Sequence, residues 1–457
     1  MGGPATDIQT STYQVPPDEQ PPPNVASVPQ EVTGQPRRVV VGGLTWRNAF
    51  AALRHRNFRL FFAGQLVSLV GTWMQTTAQG WLVYQLTGSK ALLGTVAAVG
   101  ALPLLLLSPL GGSMADRHSK RTVVLLTQTG MMVLAFVFAA LVWSGQILPW
   151  HIILLAAMGG IAMAFDLPAR QSFMVEITSP SELMNAVALN SSLVNGARVV
   201  GPAVAGLLMA QAGLPLCFLL NGLSFIAVIA GLWMMRLPRF EPPEKPASTG
   251  RHLLEGFTYV ARHQRVRRLM ILFAIVGIFG WSYSILMPAY ATDVLKVTEG
   301  GYSALLSANG LGALLGALTV ATFGGRIPSR YLIFGGLWAF SITLVLLAAI
   351  HWFPLVLFNL VLCGWSMMLY FATTNTLLQT SVTHAMRGRV MGIWGLVFGG
   401  MMPVGGLESG FLSQAIGVPW TITVGAVICA ISGLLMFHIV RRHPSPSMDP
   451  AGMRANN

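Results

Sequence analysis

The feature that most constrains this chain is a series of twelve apolar segments, which follow one another from Phe58 to the C-terminal region. Each segment is close to the roughly 20 residues that a helix needs to cross about 30 Å of hydrocarbon. A hydrophilic break after the sixth segment divides them into two sets of six. The sequence therefore predicts an all-α polytopic membrane protein of twelve transmembrane helices in two six-helix halves. By the length criterion, the segments lie at about 60–86, 91–115, 122–145, 149–172, 186–213, 215–236, 269–292, 302–325, 331–350, 354–378, 390–413 and 419–440.

The regions around these segments complete the expected domain organisation. Residues 1–45 contain the proline-rich stretch "VPPDEQPPPNVASVPQ" and are expected to form a disordered tail. Residues 46–236 and 268–442 would hold the two halves, and 443–457 a second tail. Residues 237–267 combine a linker with an amphipathic helix, expected to lie on the inner membrane surface. Its apolar face is formed by Leu253, Leu254, Phe257 and Val260.

The distribution of basic residues predicts the orientation of the chain. The net charge of +13 would suit a nucleic-acid-binding protein if the basic residues were gathered in one patch. With the N-terminus in the cytoplasm, however, all 28 Lys and Arg residues except Lys90, Lys296 and Arg198 fall in cytoplasmic segments. This pattern follows the positive-inside rule and suits anionic lipid headgroups rather than nucleic acid. We therefore expect both termini in the cytoplasm, the bilayer as a partner and no nucleic acid.

The short turn between the second and third segments carries more charge than topology requires. In "SPLGGSMADRHSKRTVVLL", the topology rule accounts for Arg117 and Arg121 but not for Asp116 at the segment end or Gly112 one turn earlier. The pattern Gly-x-x-x-Asp-Arg-x-Ser-Lys-Arg resembles the signature loop of the major facilitator superfamily of secondary transporters. Ser119 stands where that superfamily commonly has a second Gly.

Further motifs strengthen and narrow this resemblance. "GGRIPSRYLIFGG" places Arg326 and Arg330 at an offset of 209 from the basic pair of the first half, with Gly325 in place of the acid. "NGARVVGPAVAG" in the fifth segment is similar to the Gly-Pro motif of exporters in this superfamily, and "GGMMPVGGLESG" is its counterpart in the eleventh. Together with "DLPARQSFMVEI" in the first half, these stretches resemble the bacterial branch that contains the enterobactin exporter and macrolide efflux proteins. The resemblance covers about 53–442 and is weaker in the second half.

The resemblance implies that the signature loop works as a cytoplasmic gate. Asp116 would pair with basic groups of the opposite half, and Arg387 and Arg389 before the eleventh segment are the expected partners. Such a pair would hold the cytoplasmic side shut and break as the halves rock. The alternative is that the loop charges serve topology only. The residues assigned to the gate are Gly112, Asp116, Arg117, Arg121, Arg170, Arg387 and Arg389.

Arg198 is the most informative residue of the fifth segment. Asn195, Arg198 and Pro202 are spaced i, i+3, i+7 and share one helix face. Arg198 lies about 18 Å from the cytoplasmic edge at 1.5 Å per residue, where an unpaired charge costs at least about 2.5–3.5 kcal/mol. It must face the interior, a partner acid or a wet cavity, in a role that is either substrate or coupling chemistry or a structural pairing. Gly201, Pro202 and Gly206 are expected to allow bending and close packing.

Few acids lie within the apolar segments, which limits where a proton could bind. Asp166 is four residues before Arg170, so the two pair if the helix continues through Pro168. A structural or gating ion pair is favoured there over a proton site. Glu408, close to the outer end of the eleventh segment, is either a proton site or a solvated helix-end residue.

Polar and aromatic residues in the first, seventh and tenth segments predict an amphipathic substrate cavity. The resemblance implies that helices 1, 4, 7 and 10 line it, and hydroxyls, amides and aromatic rings with few charges suit a bulky, partly aromatic ligand. The alternative is that these side chains form interhelical hydrogen bonds or interfacial aromatic belts. The expected lining residues are Thr72, Gln75, Thr76, Gln79, Asn195, Trp281, Tyr283, Trp365, Tyr370 and Asn375.

These patterns favour a secondary active exporter in the bacterial cytoplasmic membrane. The sequence has no Gly-x-x-x-x-Gly-Lys-Ser/Thr stretch for a nucleotide and no metal-type spacing of Cys or His. We therefore expect no enzyme activity, no cofactor, the proton gradient as the energy source, and a monomer that exports small drug-like or siderophore-like molecules by alternating access. The alternatives are an importer or symporter on the same fold and a non-transporting receptor or assembly partner.

Overall fold

The structure, a computed structural model, describes residues 51–179, 182–237 and 249–442. The expected tails at 1–45 and 443–457, and most of the linker before residue 249, lie outside the described residues. Within them, each of the twelve apolar segments of the sequence is helical, and the seventh is interrupted. Eleven of these helices are long and apolar enough to span a membrane. The first is also long enough, with 32 residues, but carries more polar side chains. The protein is thus a multi-pass membrane protein.

The N-terminal half consists of six helices joined by short turns. The first turn shows why the chain reverses there: Gly88 has a φ of 61°, which favours glycine, and the Ser89 side chain accepts a hydrogen bond from the N–H of Leu92 as an N-cap. The helices are α1 Arg56–Thr87, α2 Lys90–Arg117, α3 Lys120–Trp143, α4 Pro149–Glu176, α5 Leu183–Ala212 and α6 Leu214–Met234.

The C-terminal half follows an additional helix, α7, which spans Thr249–Arg262. The next element, α8, is interrupted, with an α-helical start at Gln264–Ile275 and π-helical turns at Val276–Gly280 and Tyr290–Val294. Pro288, which lacks an N–H, lies within this interrupted part. The sequence did not predict the break, which places Trp281 between helical segments. The remaining helices are α9 Glu299–Phe323, α10 Ser329–Ala349, α11 Phe353–Thr380, α12 His384–Ile416 and α13 Val418–Arg442.

Helix α7 matches the amphipathic helix expected from the sequence. Leu254 and Phe257 are exposed, whereas Gly256 faces α12 so closely that a Cβ there would lie 2.8 Å from the carbonyl oxygen of Arg389. Val260 is half-buried. The helix therefore packs on the C-terminal half with one side and leaves apolar side chains free on another. Its position on a membrane surface stays a prediction.

The most extensive contacts between the two halves are made by two equivalent helix pairs, α2 with α12 and α5 with α9. Both pairs depend on glycine for close backbone approach. A Cβ at Gly94 would lie 2.0 Å from the carbonyl oxygen of Gly406, and one at Gly206 would lie 2.5 Å from the Cβ of Ser303. Because Gly94 and Ser303 are separated by 209 residues, the repeat offset, the two interfaces are related by the internal repeat.

Among the described residues, the contacts between the halves are concentrated toward one end. They run from Lys90, whose N–H donates to Gln414 at 3.2 Å, down to the backbone contact of Gly310 with Arg198. We call the end that contains Lys90 and Gln414 the closed end. The opposite end, called the basic end, contains Arg117, Arg121, Arg387 and Arg389.

Candidate functional site

Arg198 lies at the interface between the halves, with neighbours from both. Its Nη2 donates to Oδ1 of Asn309 on α9 at 3.1 Å, and the Asn309 amide in turn donates to the hydroxyl of Tyr283 on α8 at 3.0 Å. Tyr283 is 3% exposed and Asn309 4% exposed. The guanidinium of one half is thus held by a buried hydrogen-bonded pair of the other half.

Two indole rings complete this group. The guanidinium carbon of Arg198 lies 5.7 Å from the ring centroid of Trp73 on α1 and 6.0 Å from that of Trp281 at the break in α8, both within cation–π range. We call the five residues the Arg198 layer: Arg198, Asn309, Tyr283, Trp73 and Trp281. An acid was one of the expected partners of Arg198, but among the described residues the partners are an amide and two aromatic rings. The sequence did not single out Asn309, although an amide within the apolar run "SALLSANGLGALLG" is a usable signal.

The Gly-Pro motif of α5 acts in packing. A Cβ at Gly201 would lie 2.4 Å from the Cβ of Trp73, so Gly201 lets α1 bring this indole close to Arg198. Gly206 makes the equivalent close approach to Ser303 on α9. Pro202 is buried within a continuous helix. These contacts agree with the close packing expected of Gly201 and Gly206.

Asp166 and Arg170 form an ion pair within the N-terminal half, as their spacing suggested. The carboxylate is fully buried and also accepts hydrogen bonds of 2.9 Å from Thr127 and Gln128 on α3. Arg170 donates to Gln65 on α1 at 2.9 Å. The network joins α1, α3 and α4. The prediction that Arg170 belongs to the gate is therefore wrong for this conformation, because its guanidinium is engaged inside the half.

A second polar cluster, which the sequence analysis missed, joins the halves at the closed end. Asp293 accepts a hydrogen bond from the hydroxyl of Tyr84, whose oxygen lies 2.7 Å from both carboxylate oxygens, and its Oδ2 lies 3.0 Å from Nζ of Lys90. Nearby, the rings of Trp81 and Tyr302 stack at 5.3 Å. Tyr84 and Asp293 are separated by the repeat offset of 209 residues, so they occupy equivalent positions of the two halves. That equivalence is the signal that could have identified the pair.

The pairing expected at the basic end is not formed. Asp116 is exposed and makes no ion pair with a described residue. Arg389 instead pairs with Glu255 of α7 at 2.6 Å, and Nε of Arg387 donates to the carbonyl oxygen of Gln379 at 3.1 Å. The predicted contact of Asp116 with Arg387 or Arg389 is absent because those guanidiniums have partners within their own half.

The other residues assigned to the gate lie at the same end without contacting the C-terminal half. Arg121 donates to the carbonyl oxygen of Trp233 on α6 at 3.1 Å, and Arg117 is exposed. A Cβ at Gly112 would meet nothing within 4 Å. In the part of the chain that the structure describes, the gate residues are therefore apart.

The polar residues Thr72, Gln75, Thr76 and Gln79 of α1 have different surroundings. Thr76 is exposed, whereas Thr72 and Gln79 are half-buried on the same side of the helix. Gln75 was expected in the cavity, but its Oε1 accepts a hydrogen bond of 2.7 Å from Asn221 on α6. This prediction is corrected, because the amide satisfies a neighbouring helix of its own half.

The aromatic residues assigned to α11 do not reach the interface. Trp365 donates to Thr319 at 3.1 Å and lines a surface groove between α9 and α11. Tyr370 is 1% exposed in the core of the C-terminal half. In this conformation these rings serve helix packing rather than the expected cavity. Tyr283 is buried too. Within the Arg198 layer it accepts a hydrogen bond from Asn309, which in turn accepts one from Arg198.

The remaining predicted residues form local contacts or none. Asn195 donates to the carbonyl oxygen of Ser191 one turn earlier, and Asn375 accepts from Gln379 within α11. Both are half-buried. Glu408 is half-buried on α12, and its Oε2 is buried without a hydrogen-bond partner among the described residues.

The fold and the site together define a class of protein. Two six-helix halves that meet at one end, with a charged and aromatic layer between them, form a major facilitator superfamily transporter rather than an enzyme. Residues 47–455 match the family described as Transmembrane secretion effector. The chain belongs to this family.

Comparison with known proteins adds relatives over most of the chain. The chain is similar to the Staphyloferrin A transporter of Staphylococcus aureus, at 24% identity over 84% of this chain and 96% of that protein. It is also similar to the multidrug efflux pump Tap of Mycolicibacterium fortuitum, at 25% identity over 84% of this chain and 95% of that protein. A bacterial homologue of the human lysosomal transporter Spinster, solved inward-facing and unoccupied, shares the fold with a TM-score of 0.70 at 15% identity, over 84% of this chain and 97% of that one.

Proposed function

We propose that this protein is a secondary active exporter of small amphipathic molecules, drug-like or siderophore-like, in the bacterial cytoplasmic membrane. It works as a monomer, without nucleotide or other cofactor, by alternating access coupled to proton entry. The transport of staphyloferrin A and of drugs by its two relatives supports these substrate classes. The observation that carries the proposal is the asymmetric contact between the halves, which join at the closed end while Asp116 and Arg389 stay apart at the basic end.

The basic end faces the cytoplasm in this proposal. The exposed Arg117, together with Arg387 and Arg389, places positive charge there, as the positive-inside rule requires of cytoplasmic ends. The conformation is then inward-facing, so substrate reaches the Arg198 layer from the cytoplasm. In the outward-facing state, the Lys90–Asp293 contact opens and Asp116 pairs with the basic residues of α12.

Glu408 is the proposed proton carrier. Its buried, unpartnered Oε2 differs from the carboxylate of Asp166, which is occupied by Arg170, Thr127 and Gln128. A partly buried carboxyl without a compensating cation is the arrangement that favours proton uptake. A proton would bind from outside after each substrate is exported, and its release to the cytoplasm would accompany the return of the protein to the inward-facing conformation.

The test compares efflux by the wild type with Arg198→Ala and Glu408→Gln in a bacterium that lacks its own efflux systems. We expect the wild type to lower the accumulation of fluorescent hydrophobic dyes, macrolides or catecholate siderophores, and a protonophore to abolish this. Each variant should slow extrusion about tenfold or more, which corresponds to at least about 1.4 kcal/mol of lost coupling or binding. Glu299→Gln at the start of α9 is the matched control.

Three outcomes would contradict parts of this proposal. Accumulation above the level of an empty-vector strain would reverse the direction and favour an importer or symporter. Extrusion unaffected by the protonophore would remove proton coupling. Movement of no compound by the wild type at normal expression would favour a receptor or assembly partner on the same fold.

A further inference from the structure

We infer that the preferred substrates carry a negative charge beside an aromatic or apolar body, and that Arg198 binds this charge. The inference rests on the proposed export function and names the chemical class of its substrate. It follows from the charge balance of the Arg198 layer, which contains one guanidinium and no carboxylate among the described residues that contact it.

Arg198 keeps most of its hydrogen-bond donors free. A guanidinium has five N–H groups, and the described contacts engage one nitrogen, through Asn309. Arg198 is half-buried, and none of its nitrogens is among the buried atoms that lack a partner. The unused donors therefore have access to the space between the halves. They form a fork that suits a carboxylate, sulfonate or phenolate oxygen.

The positive charge of Arg198 is incompletely compensated by its neighbours. An arginine at membrane depth is expensive unless it is paired, and here one amide and two indole faces provide the compensation. An incoming anion would complete it with charge-assisted hydrogen bonds, whereas an incoming cation would be repelled. Neither Asp166 nor Glu408 neutralises the charge of Arg198. Asp166 is paired inside the N-terminal half, and Glu408 makes no described contact with Arg198.

The two indole rings beside Arg198 suit the aromatic or apolar body of the ligand. Trp73 and Trp281 approach the guanidinium from different halves, so a flat aromatic group bound beside the anion would meet an indole face. Because Trp281 belongs to the C-terminal half and Arg198 to the N-terminal half, such a ligand would contact both halves at once. The geometry thus places substrate recognition where the halves move against each other.

The test uses three probes that share one fluorophore and differ in charge: dansyl-glycine, dansyl-glycinamide and dansyl-ethylenediamine, which are anionic, neutral and cationic at neutral pH. Binding to the purified full-length protein is followed by dansyl fluorescence, and extrusion of the same probes is measured in cells. We expect the wild type to bind dansyl-glycine about tenfold more tightly than dansyl-glycinamide, because its hydrogen bonds to the guanidinium are charge-assisted.

The variants identify Arg198 as the cause. Arg198→Gln should remove the preference, so that dansyl-glycine and dansyl-glycinamide bind with about equal affinity. Arg198→Lys keeps the charge but loses the fork, so it should retain part of the preference even if the glutamine variant folds poorly. Arg442→Gln, which removes an exposed charge at the end of α13, is the matched control and should bind as the wild type does.

The inference fails if the amine binds most tightly, or if the folded Arg198→Gln variant keeps the same ratio of acid to amide affinity. Extrusion separates this failure from that of the proposed function. Export of the cationic probe but not of the acid would leave an exporter with a different charge preference. Absence of both binding and export for all three probes would overturn the charge inference together with the exporter proposal.

Discussion

Replacing Asp166 by leucine is expected to lower the free energy of unfolding by about 3–5 kcal/mol, the range for removing one partner of a buried ion pair. The carboxylate is fully buried, and the Arg170 side chain is 16% exposed. Loss of Asp166 leaves the guanidinium without its counter-charge, and Thr127 and Gln128 without an acceptor. The measurement is unfolding of the purified protein in detergent, followed by melting temperature and by denaturant titration.

Two further variants distinguish the mechanism. Combining Asp166→Leu with Arg170→Met should recover most of the stability, because an apolar pair of similar volume replaces both charges. Asp116→Leu is the matched control: this aspartate is exposed without a described partner, so its replacement should change stability by less than about 0.5 kcal/mol. Equal losses at Asp116 and Asp166 would contradict the assignment of the buried network as a structural element.

The second large effect is expected at the closed end. In Gly94→Val, the new Cβ would meet the carbonyl oxygen of Gly406 at 2.0 Å, and a backbone group of α12 cannot yield as a flexible side chain would. Helices α2 and α12 must separate, so the variant should favour the conformation in which the closed end is open. A shift of about 1.4 kcal/mol changes the ratio of the two conformations tenfold.

Labelling of a cysteine placed at Ser303 measures this shift. Ser303 is 1% exposed between α5 and α9, so a thiol there should react slowly with a membrane-impermeant reagent in the wild-type background and about tenfold faster with Gly94→Val. The native Cys217, Cys363 and Cys429 are buried and give a low background. Gly130→Val, at a position where a Cβ meets nothing within 4 Å, is the control. Unchanged labelling in Gly94→Val would show that the interface does not govern opening.

Much of the fold was predictable because lipid imposes a simple rule on the chain. A helix that satisfies its own backbone hydrogen bonds needs a run of apolar residues of a given length, so each predicted segment corresponds to a helix of the structure. Local spacing also sufficed for Asp166 and Arg170, which lie four residues apart on one helix. The break in α8 was missed because its first π-helical turn, Val276–Gly280, packs against α12 and α13, which are distant in sequence.

The candidate site was predictable only in part. The helical repeat indicates that Gln75 and Thr72 lie on the same face of α1. It does not indicate that Asn221 of α6 lies at hydrogen-bond distance from Gln75. The positions of Trp365 and Tyr370 were equally hard to predict, because an aromatic residue of a membrane helix can either line a cavity or pack against another helix. The interior position of Arg198 was predictable, because an arginine within an apolar segment is costly unless it faces the inside of the protein.

The helical segments, their division into two sets of six and the motif loop were predictable from the sequence, because they depend on residues close together in the chain. The tertiary structure was needed to show that Arg198 meets Asn309 and two indoles rather than an acid. It also decided that Tyr84 and Lys90 hold Asp293, and that Arg389 pairs with Glu255 instead of Asp116. Each of these contacts joins helices distant in sequence, and the relative placement of the halves selects among partners that are chemically equivalent.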